Sequence, residues 1–352
     1  MKRRSLSILI FAVSVFFVVL FSSREACCTD QPVPLASGTA RPGEKTGPTR
    51  VSVGIWLVDI SKIDSVLQTF TANLFVVLSW QDPRLADRQA GGRKYNIDDI
   101  WHPELLATNA AAKLEPSLPK IAEVTDDGTV FYRQRVFGTF AQKLDLSAFP
   151  FDHATFRIEL VATGNLPGEI HFVPNEKMVA AGMPSGSGIS QELTLQDWRI
   201  TGSAARSLPY RIAPGIERAG YVFEFQAERL AQHYIVKVII PLLLIVMMSW
   251  ASFWIDPSLG GAQISVATTS MLTLIAYRFS VGADVPKLPY LTNLDAFILS
   301  SSLLVLLTLI EVILTTTLAC NNRLNLARAI DRYSRLVFPI AFVAVTVATL
   351  FN

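Results

Sequence analysis

PSLGGAQISVATTSMLTLIAYRFSVGADVPKLPY, residues 257–290, is apolar enough for a membrane helix yet rich in hydroxyl groups. Side chains three and four residues apart share one face of a helix. Here that face is small or polar at its start and apolar at its end, and it holds Gly261, Ser265, Thr269, Leu272, Ala276 and Phe279. Such a stripe suits the wall of a water-filled pore, in which apolar rings close the path by excluding water. A buried helix whose hydroxyl groups bond to neighbouring helices has the same periodicity, so both interpretations stay open.

The composition indicates a soluble part joined to a membrane part. Of the 352 residues, 51% are hydrophobic and 17% are charged, and the apolar residues are concentrated in a few segments. This is more apolar than most soluble proteins and less apolar than a protein embedded throughout in a membrane. The formal net charge is only +2, so nucleic acid is not an implied partner.

Cysteine and histidine give no sign of a metal centre. The three cysteines are Cys27, Cys28 and Cys320, so the segment between Thr29 and Ala319 holds neither a disulfide nor a thiolate metal site. The four histidines are scattered and form no HExxH or HxxxH spacing, and no nucleophile motif is present. We therefore expect no metal, no cofactor and no enzyme activity.

The first 50 residues predict an exported protein. Lys2, Arg3 and Arg4 precede a short apolar run from Leu6 to Phe21, which is typical of a secretory signal peptide over residues 1–28. A retained anchor helix is the alternative, although the run is short for a membrane span. Residues 29–50 are rich in Pro, Gly, Ser and Thr, and this predicts a flexible leader.

Residues 51–229 predict an antiparallel β-sandwich. Runs rich in β-branched and aromatic residues, separated by Gly, Pro, Asp and Asn, cover Val51–Ile60, Phe70–Trp80, Thr129–Phe140, Ala154–Val161, Leu193–Gly202 and Tyr221–Glu228. Several of these runs alternate between apolar and polar residues, as strands with one buried face do. Many short strands joined by turns are typical of a sandwich, and this one is long enough to bury its own core.

Residues 230–352 predict a membrane domain of four helices, at about 233–254, 261–281, 294–318 and 336–351. With an exported N-terminus, four spans also place the C-terminus outside. The linker from Ala319 to Arg335 then faces the cytoplasm, and it carries four arginines against one acid, as the positive-inside tendency requires.

Five local patterns follow one another along the chain. They are WQDPRL at Trp80–Leu85, IWHPE at Ile100–Glu104, LDL with FPFD at Leu144–Asp152, Arg229 just before the first span, and VPKLPY at Val285–Tyr290. In this order, with a β domain followed by four spans, the chain resembles the pentameric ligand-gated ion channels, specifically the bacterial relatives of the Cys-loop receptors. The resemblance covers about residues 50–352. Eukaryotic members bracket the FPFD loop with a disulfide, whereas Gln142 and Phe156 stand at those places here.

The resemblance implies a homopentamer in the bacterial inner membrane, in contact with membrane lipids, that passes inorganic ions when an unknown small-molecule agonist or a pH change acts outside. It also implies a gating interface between the two domains, formed by Phe149, Pro150, Phe151, Asp152, Arg229, Pro286, Lys287 and Pro289. Asp152 is the expected partner of Arg229, because a planar guanidinium–carboxylate pair orients the groups that it joins. An ordinary surface ion pair is the alternative. The family's third partner is an acid in the first hairpin, where Leu67 stands; Asp64 is close enough to replace it.

The resemblance places an agonist site between subunits, at Phe70, Asn109, Arg133, Thr163, Tyr210, Arg218 and Tyr221. Carboxylates and aromatic rings that would attract an amine are scarce there, and Arg133 with Arg218 fits an anionic ligand better. Two solvated surface arginines are the alternative. His233, beside the gating interface, could make gating depend on pH.

The charge pattern favours cations without deciding the matter. Residues 30–233 contain 23 acidic and 20 basic side chains, and Asp284 lies at the outer end of the second helix. Cation-selective relatives carry a glutamate ring near Gly261, and it is absent here, while Arg278 opposes cations if it faces the pore. Glu311, an acid inside the third span, is either functional or neutralised by Arg335.

Other classes of protein fit less well. Transporters usually show paired repeats and broken helices, and these four spans are dissimilar. A membrane-anchored sensor would need an output domain, and the predicted cytoplasmic linker is too short to be one.

Overall fold

The computed structural model describes residues 40–44, 47–87, 92–282 and 288–350. The predicted signal peptide and most of the predicted leader lie outside these residues, as do Asp284, Pro286 and Lys287. The described residues from Arg41 onward belong to one compact unit.

The first part of this unit is a β-sandwich, which confirms the predicted fold class. Its strands are β1 (Thr49–Asp64), β2 (Thr69–Gln81), β3 (Arg93–Asn96), β4 (Leu105–Ala107), β5 (Glu115–Pro116), β6 (Ile121–Val124), β7 (Thr129–Ala141), β8 (His153–Ala162), β9 (Ile170–Pro174), β10 (Gly188–Ile189), β11 (Trp198–Ser207), β12 (Tyr210–Ala213), β13 (Ile216–Arg218) and β14 (Gly220–Arg229). One sheet runs β10-β1-β2-β7-β6-β3, with β9 on β1 and β5 on β7; the other runs β11-β14-β8-β4. The predicted strand Leu193–Gly202 begins only at Trp198 and continues to Ser207.

The alternation within the long strands explains how the two sheets pack. In β1, Val51, Val53, Ile55 and Leu57 all point inward and are fully buried. From the other sheet, Phe156 meets Phe70 of β2 with ring centroids 5.3 Å apart. Buried aromatic residues contribute large apolar areas, so this contact ties the two layers together.

The second part consists of four helices long and apolar enough to cross a membrane. They are Gln232–Trp254, Gly260–Val281 (preceded by the 3-10 turn Pro257–Leu259), Asn293–Cys320 and Leu324–Leu350. The fourth helix begins twelve residues before the predicted start at 336, so most of the predicted linker 319–335 is helical. Its first turns carry Arg328 and Arg332, and these charges lowered the hydropathy on which the predicted boundary rested.

Pro241 lies inside the first helix without ending it. A proline lacks the N–H group that would bond to the carbonyl four residues earlier, here that of Lys237. The preceding turn, Ile235–Ile239, is a π-helix, and the Tyr277 hydroxyl of the second helix donates to the carbonyls of Lys237 and Val238 at 3.3 and 2.7 Å. A neighbouring helix therefore satisfies backbone groups that lipid could not.

Candidate functional site

The loop between β7 and β8 joins the β domain to the membrane domain through backbone hydrogen bonds. The N–H groups of Asn293 and Leu294, at the start of the third helix, donate to the carbonyls of Ser147 and Phe149 at 2.9 and 3.1 Å. The first N–H groups of a helix have no partner within it, so this loop satisfies them. In return, the Leu146 N–H donates to the Tyr290 hydroxyl at 3.1 Å.

Arg229 and Asp152 form a buried two-pronged ion pair at this joint. Nε and Nη2 of Arg229 donate to the two carboxylate oxygens of Asp152 at 2.7 and 3.1 Å. Their side chains are 5% and 1% exposed, and the Arg229 N–H also donates to the Asp152 carbonyl at 3.1 Å. This burial excludes the alternative of an ordinary surface ion pair. Removing one partner of such a pair typically costs about 3–5 kcal/mol, because the other charge is left buried alone.

Aromatic rings enclose the guanidinium of Arg229. It lies 4.3 Å from the ring centroid of Trp198 and 5.0 Å from that of Phe149. Phe149 is fully buried and meets Tyr234 of the first membrane helix edge to face at 4.7 Å. One side chain of the FPFD loop thus contacts both the ion pair and a membrane helix.

Ser65, and not Asp64, completes the coordination of Arg229. Nη2 of Arg229 donates to the Ser65 hydroxyl at 2.9 Å. The Asp64 carboxylate instead accepts from Lys62 at 2.7 Å and from the N–H groups of Leu67 and Val66 in its own hairpin. The Lys62 bond, followed by the Leu67 N–H, lowers the pKa of Asp64. The expectation that Asp64 replaces the family's acid at the ion pair is therefore corrected.

The remaining residues of the predicted interface differ in their surroundings. Pro150 follows a cis peptide bond and is buried, whereas Phe151 is 38% exposed. Pro289 is exposed just before the third helix. Pro286 and Lys287 lie outside the described residues.

The second membrane helix has two distinct faces. Gln263, Ala267, Ser270, Leu274 and Val281, spaced three, four or seven apart, are buried against the other helices. The six residues of the predicted stripe from Gly261 to Phe279 are all exposed in the single chain, with Leu272 at 67% and Phe279 at 82%. The hydroxyl-to-apolar stripe therefore lies within the side of the helix that this chain leaves uncovered, where Ile264, Thr273 and Ile275 are exposed as well.

Two of the residues proposed for the agonist site belong to the core. Phe70 is fully buried between Phe140, Phe156 and Phe225. Tyr221 is 1% exposed, and its hydroxyl donates to the Val53 carbonyl at 3.4 Å. Neither side chain can reach a ligand between subunits, so these two assignments are corrected.

The other five residues fall into separate groups. Arg218 pairs with Tyr210 across the β12–β13 hairpin and donates to the Thr163 carbonyl at 3.1 Å, so these three lie together. Asn109 is bound to the backbone carbonyls of Ala141 and Arg157. Arg133 lies on the other sheet.

Arg133 is paired with Glu123 of the neighbouring strand. A guanidinium that already has a carboxylate partner attracts an anionic ligand less strongly than a free one. The structure therefore weakens the argument for an anionic agonist at this position.

Sequence reasoning missed Trp198, Tyr234 and Ser65 at the joint. Trp198 opens β11 directly opposite Arg229 in the register of β11 and β14. Only the pairing of β11 with β14 brings the Trp198 indole against the Arg229 guanidinium, and local sequence patterns do not predict which strands pair or in which register. Ser65 lies in the first hairpin, where the family resemblance implies an acidic partner for Arg229. The location of the third partner was therefore predictable, and its residue type was not.

Glu311 is not neutralised as expected. Nε and Nη2 of Arg335 donate to the Phe253 carbonyl, at 3.0 and 2.9 Å, and the guanidinium lies 5.5 Å from the ring centroid of Trp254. Glu311 instead accepts from the Ser334 hydroxyl at 3.0 Å. His233 is exposed and lies edge to face with Tyr234 at 5.4 Å.

Comparison with known proteins agrees with this architecture. Residues 37–225 match the family model of the neurotransmitter-gated ion-channel ligand binding domain, and residues 238–325 match that of the neurotransmitter-gated ion-channel transmembrane region. A proton-gated ion channel of Gloeobacter violaceus is 29% identical over 310 residues, which cover 86% of this chain and 83% of that protein.

Proposed function

Because this chain belongs to the neurotransmitter-gated ion-channel family, whose members are channels and not enzymes, we propose that it assembles as a homopentamer around a pore lined by its second membrane helix. The uncovered stripe from Gly261 to Phe279 carries this proposal. In a ring of five copies it faces the axis, with hydroxyl groups at one end and the apolar rings of Leu272 and Phe279 at the other. Apolar rings of this kind close a pore by excluding water.

The joint at Arg229 and Asp152 transmits motion from the β domain to the pore in this proposal. The FPFD loop is bonded to the third helix, and Phe149 contacts the first, so a shift of the β domain reaches both helices at once. The second helix lies against these helices through its buried face. Pro286, Lys287 and Pro289 follow the pore helix and complete the interface.

The stimulus acts on the β domain, which faces the outside of the bacterial inner membrane together with the C-terminus. The similar Gloeobacter channel is described as proton-gated, and this favours a pH change as the stimulus. His233, at the start of the first membrane helix and in contact with Tyr234 at the joint, is a candidate group for this response. A small molecule bound near Thr163, Tyr210 and Arg218 is the second candidate, supported by the meeting of these three residues at one hairpin.

The permeating ions are monovalent cations in this proposal. The outer domain is slightly acidic, and Gly261 at the inner mouth carries no basic neighbour on the stripe. Arg278 is about 100° around the helix from Phe279, so its side chain points toward a neighbouring helix and not toward the pore axis. Under a tenfold NaCl gradient, the reversal potential should move toward the sodium value; movement toward the chloride value would establish an anion channel.

Planar-bilayer recording of the purified protein tests the proposal as a whole. Discrete currents that respond to external pH or to added ligand are expected. A correctly inserted oligomer that passes no current under any external pH would support the alternative of a sensor without a pore.

A further inference from the structure

Two buried carboxyl groups meet in the part of the membrane domain farthest from the β-sandwich. Glu311 of the third helix is 9% exposed and Asp331 of the fourth is 1% exposed. Glu311 lies nine residues before the end of its helix at Cys320, and Asp331 seven after the start of its helix at Leu324. At 1.5 Å per residue these offsets correspond to about 14 and 10 Å along the helix axes from those ends.

The two acids have fewer donors than two carboxylates require. The Ser334 hydroxyl donates to Oε1 of Glu311 at 3.0 Å, and Nε2 of Gln263 donates to Oδ2 of Asp331 at 3.1 Å. Among the described residues, Oε2 of Glu311 and Oδ1 of Asp331 have no hydrogen-bond partner. The two buried carboxyl groups interact with each other, and a proton on one of them adds the donor that this pair lacks.

The charges around the pair do not balance two carboxylates. Arg335 of the fourth helix is beside Asp331, but its Nε and Nη2 donate to the Phe253 carbonyl of the first helix. The third helix adds the neutral hydroxyl of Thr315, and the second adds the neutral amide of Gln263. One guanidinium therefore faces two acids. Two carboxylates that share a buried site do not both ionise readily, so the surroundings favour retention of one proton.

Gln263 connects this pair to the second helix, which lines the pore in the proposed function. Its amide nitrogen donates to Asp331 and also to the carbonyls of Ser252 and Ile255 at 3.2 and 2.8 Å. The side chain is fully buried, two residues after Gly261 of the exposed stripe. The amide thus ties the first turn of the second helix to both the first and the fourth helices.

We propose that Glu311 and Asp331 form a binding site for one proton, taken from the cytoplasm, and that its release loosens the foot of the pore helix. The orientation and the pore rest on the proposed function above. With the proton bound, the pair holds the third and fourth helices together as seen here. Without it, two adjacent negative charges repel each other in a medium that screens them poorly, and this repulsion acts on Asp331, the residue that Gln263 holds.

Inside-out patches test this site separately from the external stimulus. Activation curves for the external stimulus are recorded with the internal bath at about pH 6 and again at about pH 9, the range in which buried acids commonly release a proton. We expect the midpoint of activation to shift by about fivefold or more, the lower end of typical coupling between sites. A channel that opens normally but ignores internal pH would overturn this site and leave the proposed function intact. A protein that passes no current would contradict the proposed function instead.

Matched variants identify the groups responsible. Asp331→Asn and Glu311→Gln each supply a permanent N–H donor without a second charge, so both should abolish the shift. Ser334→Ala removes a donor to Glu311 but keeps both acids, so a shift should remain and should require a higher internal pH. A pH-dependent shift that survives in both amide variants would overturn the proposal. The proposal would also be overturned if replacing internal Na⁺ by a large organic cation, at fixed internal pH, shifted the midpoint of activation.

Infrared spectroscopy of the wild-type protein tests the site without any substitution, so its result does not depend on whether the variants fold. A protonated carboxyl group has a C=O stretch separate from that of a carboxylate. We expect such a band to persist at neutral pH and to disappear on alkalinisation. Its absence at every pH above about 5, where solvated carboxyl groups are ionised, would contradict a retained proton.

Discussion

One buried charged site lies where the β domain meets the membrane domain and another lies near the opposite end of the membrane domain, and the two sites are built in opposite ways. Beside the β domain, both oxygens of Asp152 accept from Arg229, and a further guanidinium donor reaches Ser65. At the other end, Glu311 and Asp331 face each other, and Arg335 donates elsewhere. In a buried pair of opposite charges, hydrogen bonds between the partners replace those that each group made to water. Two buried carboxylates instead repel each other, so one of them retains a proton. The first site therefore suits a joint of fixed geometry, and the second suits a group that changes with pH.

The largest effect is expected from breaking the matched site. Arg229→Ala leaves the Asp152 carboxylate buried without its partner, which should destabilise the folded chain by about 3–5 kcal/mol and abolish stimulated current. Size-exclusion chromatography and thermal unfolding in detergent separate loss of assembly from loss of gating.

Arg229→Lys serves as the matched control. It keeps one positive charge but loses the planar two-pronged contact, so assembly should recover further than current. Wild-type sensitivity in Arg229→Ala would show that the joint does not transmit gating.

The second largest effect is expected at the apolar ring between the two sites. Leu272→Ser places a hydroxyl on the exposed stripe, which should wet the closed pore and raise the resting leak by about tenfold or more. Met271→Ser is the matched control, since Met271 is only partly exposed and packs against the core. Unchanged leak in Leu272→Ser at normal surface expression would remove Leu272 from the pore wall.

The matched site was largely predictable from sequence, and the mismatched one was not. FPFD and Arg229 are among the patterns that carry the family resemblance, and that resemblance implies their pairing. Asp331 was assigned to a cytoplasmic linker, because the arginines around it hid the start of a helix. Only the helix Leu324–Leu350 turns this residue inward, toward Glu311.

The errors at the agonist site have a physical cause that the sequence already contained. Phe70 is in phase with Ala72 and Leu74 along its strand, and Tyr221 is in phase with Phe223 and Phe225. Each of the two aromatic residues therefore lies on the same face as core residues. Side chains two apart in a strand point the same way. The phase of the alternation should have excluded both residues from a surface site. No such pattern could locate a site formed between subunits.

A smaller effect is expected from trimming the matched site. Ser65→Ala removes the hydroxyl that accepts from Nη2 of Arg229, while both bonds to Asp152 remain. The loss of one such bond is worth about 1 kcal/mol, so the midpoint of activation should shift by at most about fivefold. Ser65→Thr keeps the hydroxyl and should behave as the wild type. A complete loss of current in Ser65→Ala would mean that the hairpin, and not the ion pair, dominates the joint.

The smallest effect is expected at a third charged pair, which is matched like the first but exposed to water. Arg328 donates to Asp256 at 2.9 Å, one turn from Asp331 toward the membrane surface, and the two side chains are 48% and 38% exposed. The Ser258 side chain first, and then Arg328, lower the pKa of Asp256 to about 2. A carboxyl group whose pKa is lowered by folding contributes its stability above its ordinary value of about 3.9 and loses it as the pH falls through the lowered value.

Asp256 therefore stays ionised throughout the internal pH range that should titrate Glu311 and Asp331. Asp256→Asn should leave the thermal unfolding temperature and the internal-pH shift close to those of the wild type, because water screens an exposed pair. The measurement is the same inside-out titration, run beside Asp331→Asn. If Asp256→Asn removed the shift and Asp331→Asn did not, the pH response would belong to the exposed pair, and burial would not be what distinguishes the two ends of this domain.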